Sequence, residues 1–308
     1  GGHIFPALSL GEALLRRGVS VALVTDDRGG RFEGENPDIA VRRIRAASPS
    51  KGGMAGKAKA IIELGFGAVQ SALHLKSLNA AVAVGFGGYP SVPTVRAAAF
   101  LGLPVVLHEQ NAVLGRANRF LAPHANKIAT SFREMTNLSE GETAKCHFTG
   151  NPVRPAVLAL RGEKAETGDG HLNLLVFGGS QGATVFSSVV PEAIAGLPAN
   201  LLPRLRITQQ SRAEDADRVK ARYRALGVAA DVRPFFDDLP DRMASADLVI
   251  ARSGASTIAE LNAIGRPSIL VPYPSAADDH QTANALACQA TGAAWMMPEP
   301  DEFTAEKL

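Results

Sequence analysis

Short apolar runs bounded by turn residues alternate with amphipathic runs along the whole chain, and this alternation constrains the fold most. Phe5 to Arg17 has helical periodicity and stops at Gly18, a residue that closes helices because it accepts the left-handed conformation. Val19 to Thr25 and Ile39 to Ile44 follow, rich in β-branched side chains. Ala80 to Val84, Pro104 to Leu107, Lys127 to Thr130 and Cys146 to Thr149 continue the series. A second series runs through Leu172 to Phe177, Leu205 to Thr208, Asp231 to Phe235, Leu248 to Ala251 and Ser268 to Val271. Its helices are expected from about Thr184 and over about Ala213 to Leu226, Thr257 to Ile264 and Gln281 to Ala290. Apolar strands without polar alternation are buried on both faces, and strands separated by helices pair in parallel through right-handed crossovers. The expected fold class is α/β.

The chain has 308 residues, enough for two domains of roughly 150 each. Residues 161–171 are polar and glycine-rich, so the expected boundary falls between Pro155 and His171. Hydrophobic residues make up 46% and charged residues 20%, which excludes a disordered chain. The net charge is only +2, so no global field calls for nucleic acid. Cys146 and Cys288 are the two cysteines; they make no disulfide framework or zinc spacing. No apolar run reaches the length of about 18 residues that suggests a membrane span, and no secretory leader pattern is read.

Four glycine-rich turns follow apolar strands or open helices: Gly1-Gly2-His3, Gly85-Phe86-Gly87-Gly88-Tyr89, Gly178-Gly179-Ser180-Gln181-Gly182 and Arg252-Ser253-Gly254-Ala255-Ser256-Thr257. In parallel sheets ligands bind beyond the strand carboxyl ends, where a helix presents free N–H groups and partial positive charge to an anion. One such turn is also what any strand-to-helix corner needs; two in each half suit a donor phosphate and an acceptor phosphate held together. Neither the P-loop pattern nor the strict Gly-x-Gly-x-x-Gly fingerprint is present, which disfavours an ATPase and a dinucleotide oxidoreductase. Gly1-Gly2-His3 reads as the middle of a loop whose leading strand lies outside this sequence. Thr304 to Leu308 is expected to open a helix.

These turns and their neighbours form an ordered set: Gly1-Gly2-His3-Ile4-Phe5-Pro6, Gly85-Phe86-Gly87-Gly88-Tyr89, His108-Glu109-Gln110-Asn111, Gly150-Asn151-Pro152-Val153-Arg154, Gly178-Gly179-Ser180-Gln181-Gly182-Ala183, Arg252-Ser253-Gly254-Ala255 and Asp279-His280-Gln281. The set spans nearly the whole chain and resembles the MurG family of peptidoglycan N-acetylglucosaminyltransferases. The resemblance implies a GT-B fold, with two Rossmann-like parallel-sheet domains and an interdomain cleft. Residues 1–155 would be the N-terminal acceptor and membrane-associated domain. Residues 156–308 would be the C-terminal UDP-GlcNAc donor domain, with its final helices missing. The implied activity is inverting transfer of GlcNAc from UDP-GlcNAc to the C4 hydroxyl of undecaprenyl-diphosphate-MurNAc-pentapeptide (lipid I), forming lipid II, with no metal and no cofactor. The family's first loop normally has Gly-Gly-Thr before Gly-Gly-His, and those residues are absent here.

The resemblance also implies roles, each beside a plainer alternative. His3 can accept a hydroxyl proton as the candidate base, or orient the acceptor diphosphate, or cap its helix. Gly1 and Gly2 supply backbone donors beside it. Ser180 adds a hydroxyl to the donor phosphate site, or simply caps a helix. Arg154 can offset charge on leaving UDP, or form a surface salt bridge. Asn111 can bind sugar or phosphate, or serve its own turn. Glu260 can accept the ribose hydroxyls, or be a solvated helix acid. Ala255, Ser256, Thr257, Ile258 and Ala259 precede it along the donor. The backbone of Phe236 would read uracil, its side chain packing in the core. Gln281 can hydrogen-bond the GlcNAc moiety, or belong to a polar helix start.

Lys51, Lys57, Lys59 and Lys76 accompany Met54, Ile61, Ile62, Leu64 and Phe66. Basic and apolar residues together suit an anionic bilayer surface, although a helix packed on the sheet would show the same pattern. The resemblance implies a peripheral protein on the cytoplasmic face of the bacterial inner membrane, with cell-wall synthesis and division proteins among its partners. Competing readings are another GT-B UDP-sugar transferase and a nucleotide-sugar-binding protein without catalysis.

Overall fold

Helix α1 (Ile4–Leu15) starts directly at the Gly2-His3 turn and leads into strand β1 (Val21–Thr25), which pairs in parallel with β2 (Ile39–Arg43). The structure is a computed structural model and describes residues 2–27, 29, 36–47, 53–162, 170–179 and 182–308. The chain divides into two units, Gly1–Pro152 and Val153–Leu308.

In the first unit β3 (Ala83–Gly85), β4 (Val105–Glu109), β5 (Lys127–Thr130) and β6 (Cys146–Phe148) form a second, parallel sheet in that order. Helices α2 (Met54–Ser77), α3 (Ser91–Phe100), α4 (Arg116–Leu121) and a short α5 (Glu140–Thr143) connect and cover these strands. The core gathers Val95, Val105, Leu107, Leu114, Leu121 and Ile128. A cavity of about 1650 Å³ is lined by both β1 and β3, together with α1 residues.

The second unit holds one parallel sheet of order β12-β11-β10-β7-β8-β9. Its strands are β7 (Leu172–Phe177), β8 (Leu205–Gln210), β9 (Ala229–Arg233), β10 (Leu248–Ala251), β11 (Ser268–Leu270) and β12 (Ala294–Met296). The helices are α6 (Pro155–Ala159), α7 (Thr184–Ala195), α8 (Ala213–Ala225), α9 (Leu239–Ser245), α10 (Ala255–Ile264) and α11 (His280–Gln289). Strands β7 and β10 are almost wholly buried, as strands covered on both faces must be. Tyr223 is buried against this core and donates to Gln209 Oε1, and burial pushes its phenol above the usual range.

The expected strands and helices lie close to observed elements, whereas α3, α4, α5, α6, α9 and strand β12 had no expected counterpart. The division by packing comes after Pro152, three residues before the expected residue 155, because Arg154 pairs with Glu260 on α10 and binds its stretch of chain to the second unit. Composition marks residues 161–171 as a linker, but packing contacts decide which unit owns the chain before it. Thr304–Leu308 closes one turn in which Leu308 N donates to Thr304 O at 3.0 Å, the spacing of a first helical turn, in line with the expected helix start. Phe303, 2% exposed, docks edge-on against Phe186.

Phe186 is fully buried in the second core. Phe186→Ala should destabilise the second unit by about 3–5 kcal/mol through lost burial and a residual cavity, read as a lowered urea midpoint. Phe100, 89% exposed, is the control: its change to Ala should shift that midpoint by less than about 0.5 kcal/mol.

Candidate functional site

Both units gather their glycine turns at the carboxyl ends of parallel strands. In the first unit the turn after β3 carries Gly87 and Gly88 at φ +83° and +69°, values that cost a side chain strain. A Cβ on either would make ordinary contact with the His3 ring, at 3.5 Å from Cε1 and 3.4 Å from Cδ2. His3 thus lies along the turn, and it is the backbone conformation that calls for glycine there. His3 precedes α1 but makes no side-chain cap, which removes the capping alternative. Its Nδ1 is 2.8 Å from Gln110 Oε1.

Strand β4 ends in His108-Glu109-Gln110-Asn111, and the first three are at most 4% exposed. The Glu109 carboxylate is saturated by N–H donors. Oε1 accepts from Asn111 N at 3.1 Å and Nδ2 at 3.2 Å; Oε2 accepts from Gly115 N at 3.0 Å and Asn118 Nδ2 at 2.8 Å. This buried charge ties the 110–118 loop to the strand that carries it. Asn111 thus uses its amide locally, as a turn residue does, and sits beside the His3 turn. Asn118 is 1% exposed, and its Oδ1 accepts no hydrogen bond among the described residues.

In the second unit β7 and β10 are neighbours, but chain order runs outward from them in opposite directions. Such a switch point is where open parallel sheets bind ligands, and the two donor turns flank it. Gly178 must be glycine: a Cβ there would lie 2.5 Å from Ala183 N. Its N–H donates to Gln210 Oε1 at 3.0 Å, while Gln210 Nε2 donates to Pro234 O. One buried amide therefore joins the turn after β7 to the turn after β9. Ser180, like Gly1, lies outside the described residues.

Helix α10 follows its N-cap Gly254 and has no acidic residue in its first turn, so no carboxylate there offsets the partial positive charge of its start. The Ser256 hydroxyl is buried without a partner among the described residues. Behind it, Arg252 is stacked between Phe186 and Tyr273 at 5.2 and 5.4 Å, bonds Val271 O and Pro272 O, and pairs with Glu299.

Arg154 and Glu260 meet as a bidentate pair, Nε–Oε1 2.7 Å and Nη2–Oε2 3.0 Å. Glu260 is only 13% exposed at its side chain, so it is not a solvated helix acid. Gln281 receives Tyr273 N–H on Oε1 at 3.0 Å, and its backbone carbonyl accepts from Ser253 Oγ at 2.8 Å. The Gln281 amide thus has its oxygen engaged and its Nε2 left as a donor. Phe236 is buried with the Arg242 guanidinium 4.3 Å from its ring, so only its backbone is placed to read a ligand. Among the described residues no three His, Cys, Asp or Glu side chains converge as metal ligands.

Motif spacing does not single out Asn118 or Gln210, since their importance lies in burial and in the partners that the fold brings to them. A buried Glu109→Gln change replaces one accepting oxygen by an amine that faces N–H donors. It should destabilise the first unit by about 1–3 kcal/mol, measured by urea unfolding, with Glu134→Gln at an exposed position as a neutral control.

Residues 1–130 match the glycosyltransferase family 28 N-terminal domain and residues 173–308 the family 28 C-terminal domain. A protein of Rhodospirillum centenum is 56% identical, over all of this chain and 81% of its own length. One of Paramagnetospirillum magneticum is 49% identical, over all of this chain and 83% of its own. Both are named UDP-N-acetylglucosamine–N-acetylmuramyl-(pentapeptide) pyrophosphoryl-undecaprenol N-acetylglucosamine transferase. The crystal structure of Acinetobacter baumannii MurG superposes with a TM-score of 0.78 at 30% identity, covering 99% of this chain and 84% of that one. With two parallel-sheet α/β units of the GT-B type and relatives of this likeness, the chain belongs to the MurG family of glycosyltransferases.

Proposed function

We propose that the protein transfers GlcNAc from UDP-GlcNAc to the C4 hydroxyl of lipid I, inverting the anomeric carbon and yielding lipid II and UDP. The observation that carries this reading is the full-length likeness to transferases named for that donor and acceptor. The donor is assigned to the second unit, on the turns beside the β7–β10 switch point. The diphosphate rests on the Gly178–Gly182 turn with Ser180 and on the first turn of α10, from Ala255 through Ser256 and Thr257 to Ile258 and Ala259. Glu260 accepts the ribose hydroxyls; its bidentate hold on Arg154 fixes the carboxylate plane, and the Arg154 charge offsets that growing on UDP. Gln281 offers Nε2 to a sugar oxygen, and the Phe236 backbone reads uracil.

The acceptor is assigned to the first unit, against Gly1, Gly2, Asn111 and the Gly87-Gly88 turn. The C4 oxygen attacks the anomeric carbon, the bond to the β-phosphate oxygen breaks, and His3 takes the hydroxyl proton.

Membrane docking is assigned to α2. Ala60, Ser71 and Leu75 face the protein interior, while Ile62, Phe66, Val69 and Leu73 form an exposed ridge at helical spacing, 55–64% open to solvent. Lys59 and Lys76 are exposed on the same helix; Lys51 and the side chains of Met54 and Lys57 lie outside the described residues. An apolar ridge among lysines fits the interface of an anionic bilayer. No helix among the described residues is long and apolar enough to cross a membrane, so this reading makes the protein peripheral, on the cytoplasmic face of the inner membrane.

The protein should convert labelled UDP-GlcNAc and lipid I into labelled lipid II. His3→Ala should lower kcat by about 10²–10⁴-fold and leave UDP affinity, measured by isothermal titration, unchanged. A protein that binds UDP and never turns over lipid I sinks the transferase reading. Glu260→Ala should weaken UDP binding by about 10–100-fold, the worth of charge-assisted hydrogen bonds; unaltered affinity removes Glu260 from the donor site. Ile62→Ser with Phe66→Ser should cut partition onto phosphatidylglycerol vesicles by more than about tenfold. Equal binding by both forms would exclude α2 as the contact.

A further inference from the structure

Resting on the assignment of His3 as the base, we propose that Gln110 is a positioning residue that sets the tautomer of His3, holding the proton on Nδ1 and leaving Nε2 as the accepting nitrogen.

The assignment follows from which atoms can only accept. Gln110 is 1% exposed, so its amide cannot satisfy itself with bulk water. Its Nε2 lies 3.0 Å from the His108 carbonyl oxygen. A carbonyl only accepts, so the NH₂ end of the amide must face it. The oxygen end is then turned toward His3, with Oε1 2.8 Å from Nδ1. An amide oxygen also only accepts, so His3 Nδ1 carries the hydrogen. A neutral imidazole has one N–H, and its lone pair is therefore on Nε2.

A second constraint holds the amide from the other side. The remaining Nε2 proton of Gln110 points to His108 Nδ1 at 3.0 Å. His108 Nε2 lies 3.1 Å from Gly150 O and must donate to it, which leaves Nδ1 as the acceptor. Burial pushes the His108 imidazole below its ordinary value, against smaller opposing effects of the Gly150 hydrogen bond and Glu109, and so keeps this ring neutral. The chain Gly150–His108–Gln110–His3 can be satisfied in one direction only. Turning the Gln110 amide over would set its oxygen against the His108 carbonyl oxygen and the lone pair of His108 Nδ1.

The same geometry places the free nitrogen. A Cβ on Gly88 would lie 3.7 Å from His3 Nε2, so the accepting edge of the ring runs along the glycine turn. His3 itself is exposed, and without Gln110 its ring could rotate or exchange tautomers. An amide orients the imidazole without adding a charge beside it, unlike the carboxylate of a serine-protease triad.

The test uses the full chain with ¹⁵N-labelled histidine at alkaline pH, where imidazoles are neutral. The His3 resonances, assigned by their loss in His3→Ala, should show the Nδ1–H form, although free imidazole side chains favour Nε2–H. Gln110→Met keeps volume and removes every polar atom; His3 should revert toward Nε2–H. In the same variant kcat for lipid II formation should fall about 100-fold, with KM for UDP-GlcNAc unchanged. An Nε2–H signal in the native protein, or a methionine variant with native tautomer or native kcat, overturns the proposal. Undiminished kcat in His3→Ala overturns the assignment of the base itself, while the spectra still report on Gln110.

Discussion

Parallel strand pairing is the constraint on which the rest depends. Each buried strand must find partners for its N–H and C=O groups, and here the pairs between named strands are parallel. Parallel neighbours cannot be joined by a hairpin, so the chain returns by a crossover and the carboxyl ends of each sheet share one edge. That edge receives the turns after β3 and β4 in the first unit and after β7 and β10 in the second. The glycine turns and the placement of His3 are therefore products of the same topology that builds the two cores.

Buried polar groups then give those turns their shape. Glu109 ties down the loop that follows its own strand, Gln110, Gln210 and Arg252 join segments distant in sequence, and each would be costly to leave unmatched in a dry interior. A buried group without its partner loses more than a satisfied pair gains over water. The solvent-facing Arg222–Glu192 pair has equally short contacts, yet water competes for both ends and salt screens them. Distance alone would rank these interactions alike; burial separates those that specify a loop from those that decorate a helix.

The Arg154–Glu260 pair combines the two kinds of role. It attaches the chain that enters the second unit to α10, and it fixes the plane of a carboxylate at the end of the helix turn assigned to the donor. Helix α2 divides its roles by face: small and apolar residues pack toward α3, and a ridge of large apolar side chains faces outward. Nothing in the core needs that ridge, which is why its spacing speaks of a surface contact.

Periodicity and composition were enough to mark the alternation of strands and helices, the glycine turns and their order, because these are local properties of neighbouring residues. Glycine at 178 is demanded by a turn only a few residues long. The partners were beyond that reach. His3 and Gln110 are 107 residues apart, Arg154 and Glu260 106. Composition favoured a boundary at residue 155, whereas the pairing of Arg154 with Glu260 goes with a division at Pro152. Thr304 to Leu308 has the residues of a helix start and closes one helical turn. The sequence by itself determined which elements form and which turns can approach a phosphate. Only the tertiary structure decided which polar atoms meet, because hydrogen-bond direction and burial depend on residues that topology, not chain proximity, makes neighbours.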